Sequence, residues 1–137
     1  MLRSLRAKPV DHATEASAKH FYQPGSVCAV AAAENSRELM WFIQITAHDV
    51  ALTNIQDDYG HMIFKGENYL TGRYMEYHTE NSKHHKYRVV KKNVYVREES
   101  VLYPFVVHQV DKNMCIITLT EYTEILQFVE KSGLEYI

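Results

Sequence analysis

Histidine and carboxylate side chains are the residues of this sequence that could carry out acid–base chemistry. His61 follows the turn Asp57-Asp58-Tyr59-Gly60, and a carboxylate–histidine pair there could act as a general acid and base. Turn residues of this kind are also common as purely structural elements. The sequence contains no glycine-rich phosphate loop and no GxSxG, HExxH or CxxC motif. We therefore expect no catalytic residue. A small enzyme that uses His61, or His84 and His85, is the third of three functional alternatives.

Metal binding is the other chemistry that the histidines suggest. His84 and His85, with His78 and Glu80 nearby, have the residue types of a metal site. Neighbouring residues on a strand point to opposite faces, so the pair can share one metal only if it lies in a loop. Residues 79–85 are predicted to form a polar loop, so one metal ion shared by His84 and His85 remains an alternative. We nevertheless expect no metal and no cofactor.

Aromatic residues offer a binding site in place of a catalytic one. The chain has 10 Tyr, 5 Phe and 1 Trp. Three or four rings that converge near an acid such as Asp57, Asp58 or Glu67 bind a methylated ammonium group by cation–π attraction. An aromatic on an alternating strand is more often part of the core, and Trp41 lies on such a strand, whereas Tyr59 is the ring that we expect to be most exposed. The predicted ligand-binding residues are Trp41, Tyr59, Tyr69 and Tyr74.

Basic residues are concentrated in one window, although the net charge of the chain is only −2. Residues 83–97 hold six of the 15 Lys and Arg residues and no Asp or Glu. Basic side chains interleaved with aromatics are typical of nucleic-acid surfaces, where cations meet phosphates and rings stack on bases. The alternative is a solvated strand that pairs with acidic flanks. The predicted nucleic-acid-binding residues are Lys83, Lys86, Arg88, Lys91 and Lys92.

Short strands must position these residues. Gly72, inside one of the alternating runs, suggests a bulge or a close backbone approach. Regularly spaced short strands favour a small barrel or a barrel-like sheet, because closure removes unpaired edges. About six strands are indicated by alternating or apolar runs bounded by turn signals, at residues 26–32, 39–46, 69–78, 86–97, 101–109 and 114–119.

One helix follows the strands, at residues 120–132. Thr120 is the predicted N-cap and Gly133 the residue after the helix. An apolar stripe at helical spacing should pack this helix on the sheet. The stripe consists of Tyr122, Ile125, Leu126 and Val129.

Composition bounds the remaining possibilities. With 46% hydrophobic and 23% charged residues, the 137-residue chain indicates one globular domain, residues 21–137, after a flexible arm at residues 1–20. No apolar stretch approaches the roughly 20 residues that a membrane span needs, and residues 1–10 lack the apolar segment of a secretory signal. Cys28 and Cys115 lie in apolar runs, and we expect buried free thiols in a reducing compartment. The expected location is nuclear or cytoplasmic, without membrane association.

Three segments carry a resemblance to a known family. Residues 23–30 (QPGSVCAV) place an apolar strand after Pro-Gly, residues 40–45 (MWFIQI) contain an aromatic pair, and residues 94–106 (VYVREESVLYPFV) contain a serine followed by two aliphatic residues. Over residues 23–107 the chain resembles the bromo-adjacent homology and Tudor-type modules. The resemblance implies a small Src-homology-type barrel that reads chromatin proteins through histone tails, methylated side chains or partner peptides.

Together these observations predict a non-enzymatic, chromatin-associated recognition module that binds a protein tail or nucleic acid. The second alternative is a structural or oligomerisation domain of a larger protein. Its apolar contact surface, and with it a homo-oligomer, would be expected on the helix or on residues 101–107.

Overall fold

The computed structural model describes residues 5–6, 22–33, 36–80, 83–112, 114–131 and 135–136. Within these ranges one α-helix, α1, spans Leu119–Lys131, and a 3-10 helix spans Glu98–Ser100. The strands are β1 (Leu5–Arg6), β2 (Val27–Ala31), β3 (Met40–Val50), β4 (Ile55–Gln56), β5 (Met62–Ile63), β6 (Asn68–Glu80), β7 (His84–Arg97), β8 (Val101–Tyr103), β9 (Gln109–Asp111), β10 (Met114–Thr118) and β11 (Glu135–Tyr136).

Seven of these strands form one antiparallel sheet in the order β8-β2-β3-β6-β7-β10-β9. The sheet curls into a half-barrel, so the predicted mainly β, barrel-like fold with one helix near the C-terminus is confirmed. β4 pairs with β5, and β1 pairs with β11, outside this sheet. The predicted N-terminal arm lies outside the described residues, apart from β1.

Alternation along the central strands produces two hydrophobic clusters, one on each face of the sheet. Met40 and Phe42 of β3 belong to the cluster that α1 covers, which we call the helix-side cluster. Ile43 and Ile45 belong to the other, the opposite cluster, against which Trp41 packs. The division follows the predicted alternation from Met40 to Ile45, because successive strand residues point to opposite faces. Leu39, predicted on the face of Trp41, precedes β3 and packs against the helix-side cluster.

Gly72 allows β3 and β6 to approach closely. A Cβ at Gly72 would lie 2.9 Å from the backbone oxygen of Gln44. Gly72 pairs with Ile45, directly beside a register shift between Ile45 and Ala47. Both the predicted close approach and the neighbouring bulge are therefore present, and the bulge bends β3 at this point.

The helix begins one residue earlier than predicted. Thr118 Oγ1 accepts a hydrogen bond from the Glu121 backbone N–H at 3.1 Å, so Thr118, not Thr120, caps the helix. The predicted stripe faces the sheet: Ile125 and Val129 are fully buried in the helix-side cluster. The predicted C-terminal Gly133 lies outside the described residues.

Candidate functional site

A notch opens in the sheet where β3 and β6 diverge. Their pairing stops at Ile43 and Tyr74. Before that point β3 continues back to Met40 alongside β2, and after it β6 continues to Glu80 alongside β7. We call the resulting space, about 890 Å³ and lined by both strands, β7 and α1, the notch. This volume lies within the roughly 300–1,000 Å³ range of ligand sites.

The wall of the notch on the α1 side is apolar and aromatic. The Phe42 ring lies edge-on to Tyr87 at 5.4 Å and to Tyr122 at 6.1 Å between centroids. His85 packs against Tyr122 at 4.6 Å, and Leu126 completes this wall. Burial raises the pKa of the Tyr122 phenol, so its hydroxyl stays a neutral donor at physiological pH.

The wall on the other side combines aromatic rings with acidic groups. Trp41 stacks on Tyr59 at 6.2 Å and meets Tyr74 edge-on at 5.4 Å between centroids. The Tyr74 hydroxyl donates to Asp58 Oδ2 at 3.0 Å, and the Tyr59 hydroxyl donates to the Ala31 carbonyl at 2.5 Å. Burial raises the pKa of Tyr59 to about 12 and also raises that of Tyr74, so both phenols remain protonated.

The structure brings together three of the four rings predicted to form a cage. The fourth, Tyr69, pairs instead with Tyr95 at 5.7 Å. Tyr69 precedes Leu70, a member of the opposite cluster, so alternation places Tyr69 on the other face of the sheet. Tyr59 is half-buried, not exposed as expected, because its ring lies on Trp41.

The three rings are packed against one another. Carbon atoms in contact lie about 3.5–4.0 Å apart, so a methylammonium group between two parallel rings needs roughly 7–8 Å. The 6.2 Å between Trp41 and Tyr59 is shorter than that. A ligand therefore meets this cluster from the notch, at the exposed parts of Trp41 and Tyr74.

Asp57 organises the turn that carries Tyr59. Its fully buried carboxylate accepts hydrogen bonds at Oδ1 from the backbone N–H groups of Tyr59 (3.0 Å) and His61 (2.7 Å). Oδ2 lies 3.4 Å from Arg97 Nε and 3.7 Å from His61 Nδ1. The carboxylate predicted as an acid–base partner of His61 thus holds the turn through Oδ1, while Oδ2 makes ion-pair contacts with Arg97 and His61 but no hydrogen bond. Gly60, at φ 86°, completes the turn.

His84 and His85 lie in a strand and not in a loop. β6 extends to Glu80 and β7 begins at His84, so the loop predicted over residues 79–85 is shorter than expected. His85 pairs with Ile117 of the helix-side cluster and contacts Tyr122, which puts His84 on the opposite face. Among the described residues, no three or more His, Cys, Asp or Glu side chains are grouped so that they could hold a metal ion.

Four of the five predicted nucleic-acid-binding residues lie along β7. Lys86 and Arg88 share one face, and Arg88 pairs with Glu76 at 3.0 Å. The exposed Lys91 and Lys92 lie in a bulge: Asn93 and Val89 pair with Arg73 and Met75, so residues 90–92 face only Tyr74. Lys83 is exposed just before β7.

The surface considered for oligomerisation carries exposed apolar side chains. Within residues 101–107, Val107 is 59% exposed, whereas Val101, Leu102 and Val106 are buried. Val110, outside the predicted surface on the edge strand β9, is 65% exposed. Leu119 and Phe128 of α1 are also exposed, and the Phe128 ring contacts Tyr103 at 5.3 Å. An edge strand with outward apolar residues is a general route to pairing between chains.

The aromatic residues on the α1 side of the notch were not among the predicted site residues. Phe42 and Tyr122 were identified only as members of alternating or helical stripes, a pattern typical of core residues. The basic and aromatic run at residues 83–97 was the one signal that pointed to Tyr87. The divergence of β3 from β6, which exposes these rings, depends on long-range register.

Comparisons with known proteins found no match: no family model, no curated protein and no solved structure is similar to the chain. The resemblance to bromo-adjacent homology and Tudor-type modules therefore stays a prediction. In the part of the chain that the structure describes, no helix is long and apolar enough to cross a membrane.

Proposed function

We propose that this protein is a recognition module that binds a segment of a partner protein in the notch. The observation that carries the proposal is the notch itself, about 890 Å³ between two diverging strands and lined by aromatic rings on both walls. Aromatic side chains supply large contact area at low entropic cost and dominate binding hot spots. A protein segment can use both the rings and the open strand edges.

Charge around the notch favours a segment that carries basic residues. Glu38, Asp58 and Glu76 line the notch together with one arginine, Arg37. Arg88 pairs with Glu76, which leaves Glu38 and Asp58 as the acids available beside the rings. Ammonium and guanidinium groups are attracted both by carboxylates and by the faces of Trp and Tyr. These features support a protein ligand over a nucleic acid in this site.

The cellular part of the proposal rests on the sequence resemblance. A chromatin-associated module in the nucleus would encounter histone tails, which are extended and rich in lysine and arginine. A cytoplasmic partner with a basic segment meets the same chemical requirements. Binding to a histone-peptide array, together with the distribution of a fluorescent fusion in cells, distinguishes the two locations.

Trp41 makes the notch directly observable, because it is the single tryptophan of the chain and lies in the notch wall. Short random peptides displayed on phage are panned on the purified protein, and enriched peptides are titrated while tryptophan emission is recorded. We expect saturable changes in Trp41 emission with peptides that contain lysine or arginine next to an apolar residue.

Two tyrosines provide a matched pair of variants. Tyr77 lines the notch and is 48% exposed, whereas Tyr95 lies outside it and is 45% exposed. Removing a hot-spot aromatic costs 2 kcal/mol or more, so Tyr77→Ala should weaken binding by roughly thirtyfold. Tyr95→Ala should change it by less than about twofold. Failure to enrich any peptide, or equal binding by both variants, would show that the notch is not the recognition site.

A further inference from the structure

We propose that the partner segment binds as an added β-strand in the gap between β3 and β6, with apolar side chains toward α1 and a basic side chain toward Asp58. This inference rests on the proposed function and specifies the conformation and chemistry of the ligand. It follows from the direction of the peptide groups in the gap and from the different chemistry of its two walls.

The peptide groups of Met40 point into the gap. On β3, odd-numbered residues bond toward β2: the Ala32 N–H donates to the Leu39 carbonyl at 3.4 Å, and the Ile45 N–H donates to the Ser26 carbonyl at 2.8 Å. Peptide groups alternate in direction along an antiparallel strand. The N–H and C=O of Met40 therefore face away from β2, at a point where β3 no longer pairs with β6.

Peptide groups of β6 also point into the gap. Arg73 pairs with Gln44, so the peptide groups of Arg73 point toward β3, and by alternation those of Met75 do too. Beyond Tyr74, β6 remains paired with β7 on its far side but no longer pairs with β3. Two strands of one sheet thus direct backbone donors and acceptors toward a gap that widens away from Ile43. An extended peptide can satisfy such groups by β-strand addition.

The two walls then determine the side chains of the added strand. Successive side chains of a strand point to opposite faces. On the α1 side they would meet Phe42, Tyr122 and Leu126, and on the other side Trp41 and Asp58. The ligand that satisfies both walls has apolar and basic residues in alternation. A helical segment does not suit the gap, because its peptide groups are already bonded internally.

Backbone methylation tests the added strand separately from the choice of site. One peptide enriched on the wild-type protein is synthesised with N-methyl groups at its odd positions and, in a second version, at its even positions. A strand between β3 and β6 directs one set of its N–H groups to β3 and the other set to β6. We therefore expect both versions to bind at least roughly tenfold more weakly than the parent, and a control methylated only at its terminal amine to remain within about threefold.

Asp58→Asn, compared with Asp49→Asn, tests the basic side chain. Both residues are exposed, and Asp49 pairs with Tyr69 at the other end of β3, away from the notch. We expect Asp58→Asn to weaken binding of the parent peptide by about tenfold, with little effect from Asp49→Asn. Similar affinities for both variants would remove the basic contact from the inference.

The outcomes separate this inference from the proposed function. If Tyr77→Ala weakens binding while either backbone-methylated version binds as tightly as the parent, the notch is the site but the ligand is not a strand bonded to both β3 and β6. If no peptide is enriched, the proposed function fails and the inference fails with it. Weaker binding of both backbone-methylated versions, with the terminally methylated control unchanged, supports both the inference and the proposed function.

Discussion

The buried carboxylate of Asp57 should be the most important single polar group for the turn that places Tyr59 against Trp41 of the notch wall. It accepts two backbone hydrogen bonds within the turn and faces Arg97 at 3.4 Å, with no exposed side-chain surface. Replacing it by alanine leaves two N–H groups without their acceptor and a largely buried guanidinium without its counter-charge. Removing one partner of a buried ion pair costs about 3–5 kcal/mol.

Asp57→Asn separates the hydrogen bonds from the charge. An asparagine can still accept from the N–H groups of Tyr59 and His61 through its side-chain oxygen, while the attraction to Arg97 is lost. We therefore expect a smaller loss of about 1–3 kcal/mol for this variant. Against a total stability of about 5–15 kcal/mol, Asp57→Ala should leave a folded but marginal protein.

Urea unfolding followed by Trp41 emission measures both losses. For a chain of this length, each kcal/mol corresponds to about 3–5 °C in Tm, so Asp57→Ala should lower Tm by roughly 10–20 °C. Asp58→Asn is the control, because Asp58 is exposed and accepts from the Tyr74 hydroxyl, which an asparagine oxygen can also do. A loss below about 1 kcal/mol for Asp57→Ala would refute the view that this ion pair organises the turn.

Four further predictions concern other parts of the molecule. Because the folded-state pKa of Tyr59 is about 12 against an ordinary 10, its contribution to stability is present below pH 10 and is lost as pH rises toward 12. Alkaline unfolding should show a loss of up to about 3 kcal/mol that Tyr59→Phe removes. Gly72→Ala places a Cβ 2.9 Å from the Gln44 oxygen and should lower stability by about 1–3 kcal/mol in urea titrations. If β7 binds DNA, affinity should fall steeply between two salt concentrations and be lost on charge reversal of Lys91 and Lys92, whereas no binding at low salt would exclude this surface. If β9 mediates oligomers, light scattering should show a mass that rises with concentration and that Val110→Lys reduces to the monomer value.

Local patterns were sufficient to predict much of the fold. The alternation of residues 39–46 identified β3, and Met40 and Ile43 lie on opposite faces because a strand has a period of two whatever it packs against. The helical stripe located α1 to within one residue at its start, and Gly72 was identified as a close approach. These features depend on neighbours in sequence or on the absence of a side chain.

Predictions for the site were less complete, because a ring on a strand gives no indication of its partner. Tyr69 and Tyr74 lie in the same strand and were both assigned to the cage, but only Tyr74 faces Trp41. Tyr59 was expected in solvent because it lies in an acidic turn; the buried contacts of Asp57 bring that turn back onto the sheet. Such contacts join residues far apart in the chain.

Residue patterns alone predicted the strands β2, β3, β6, β7 and β10, the helix, the two faces of the sheet and the close approach at Gly72. They did so because hydrophobic periodicity and the conformational limits of each residue type act locally. The single strand predicted at residues 101–109 is instead interrupted between β8 and β9, and β4 and β5 were not predicted. The tertiary structure alone decided where β3 leaves β6, and with that the existence of the notch. Register between distant strands follows from the packing of both clusters at once, a property that no single segment contains.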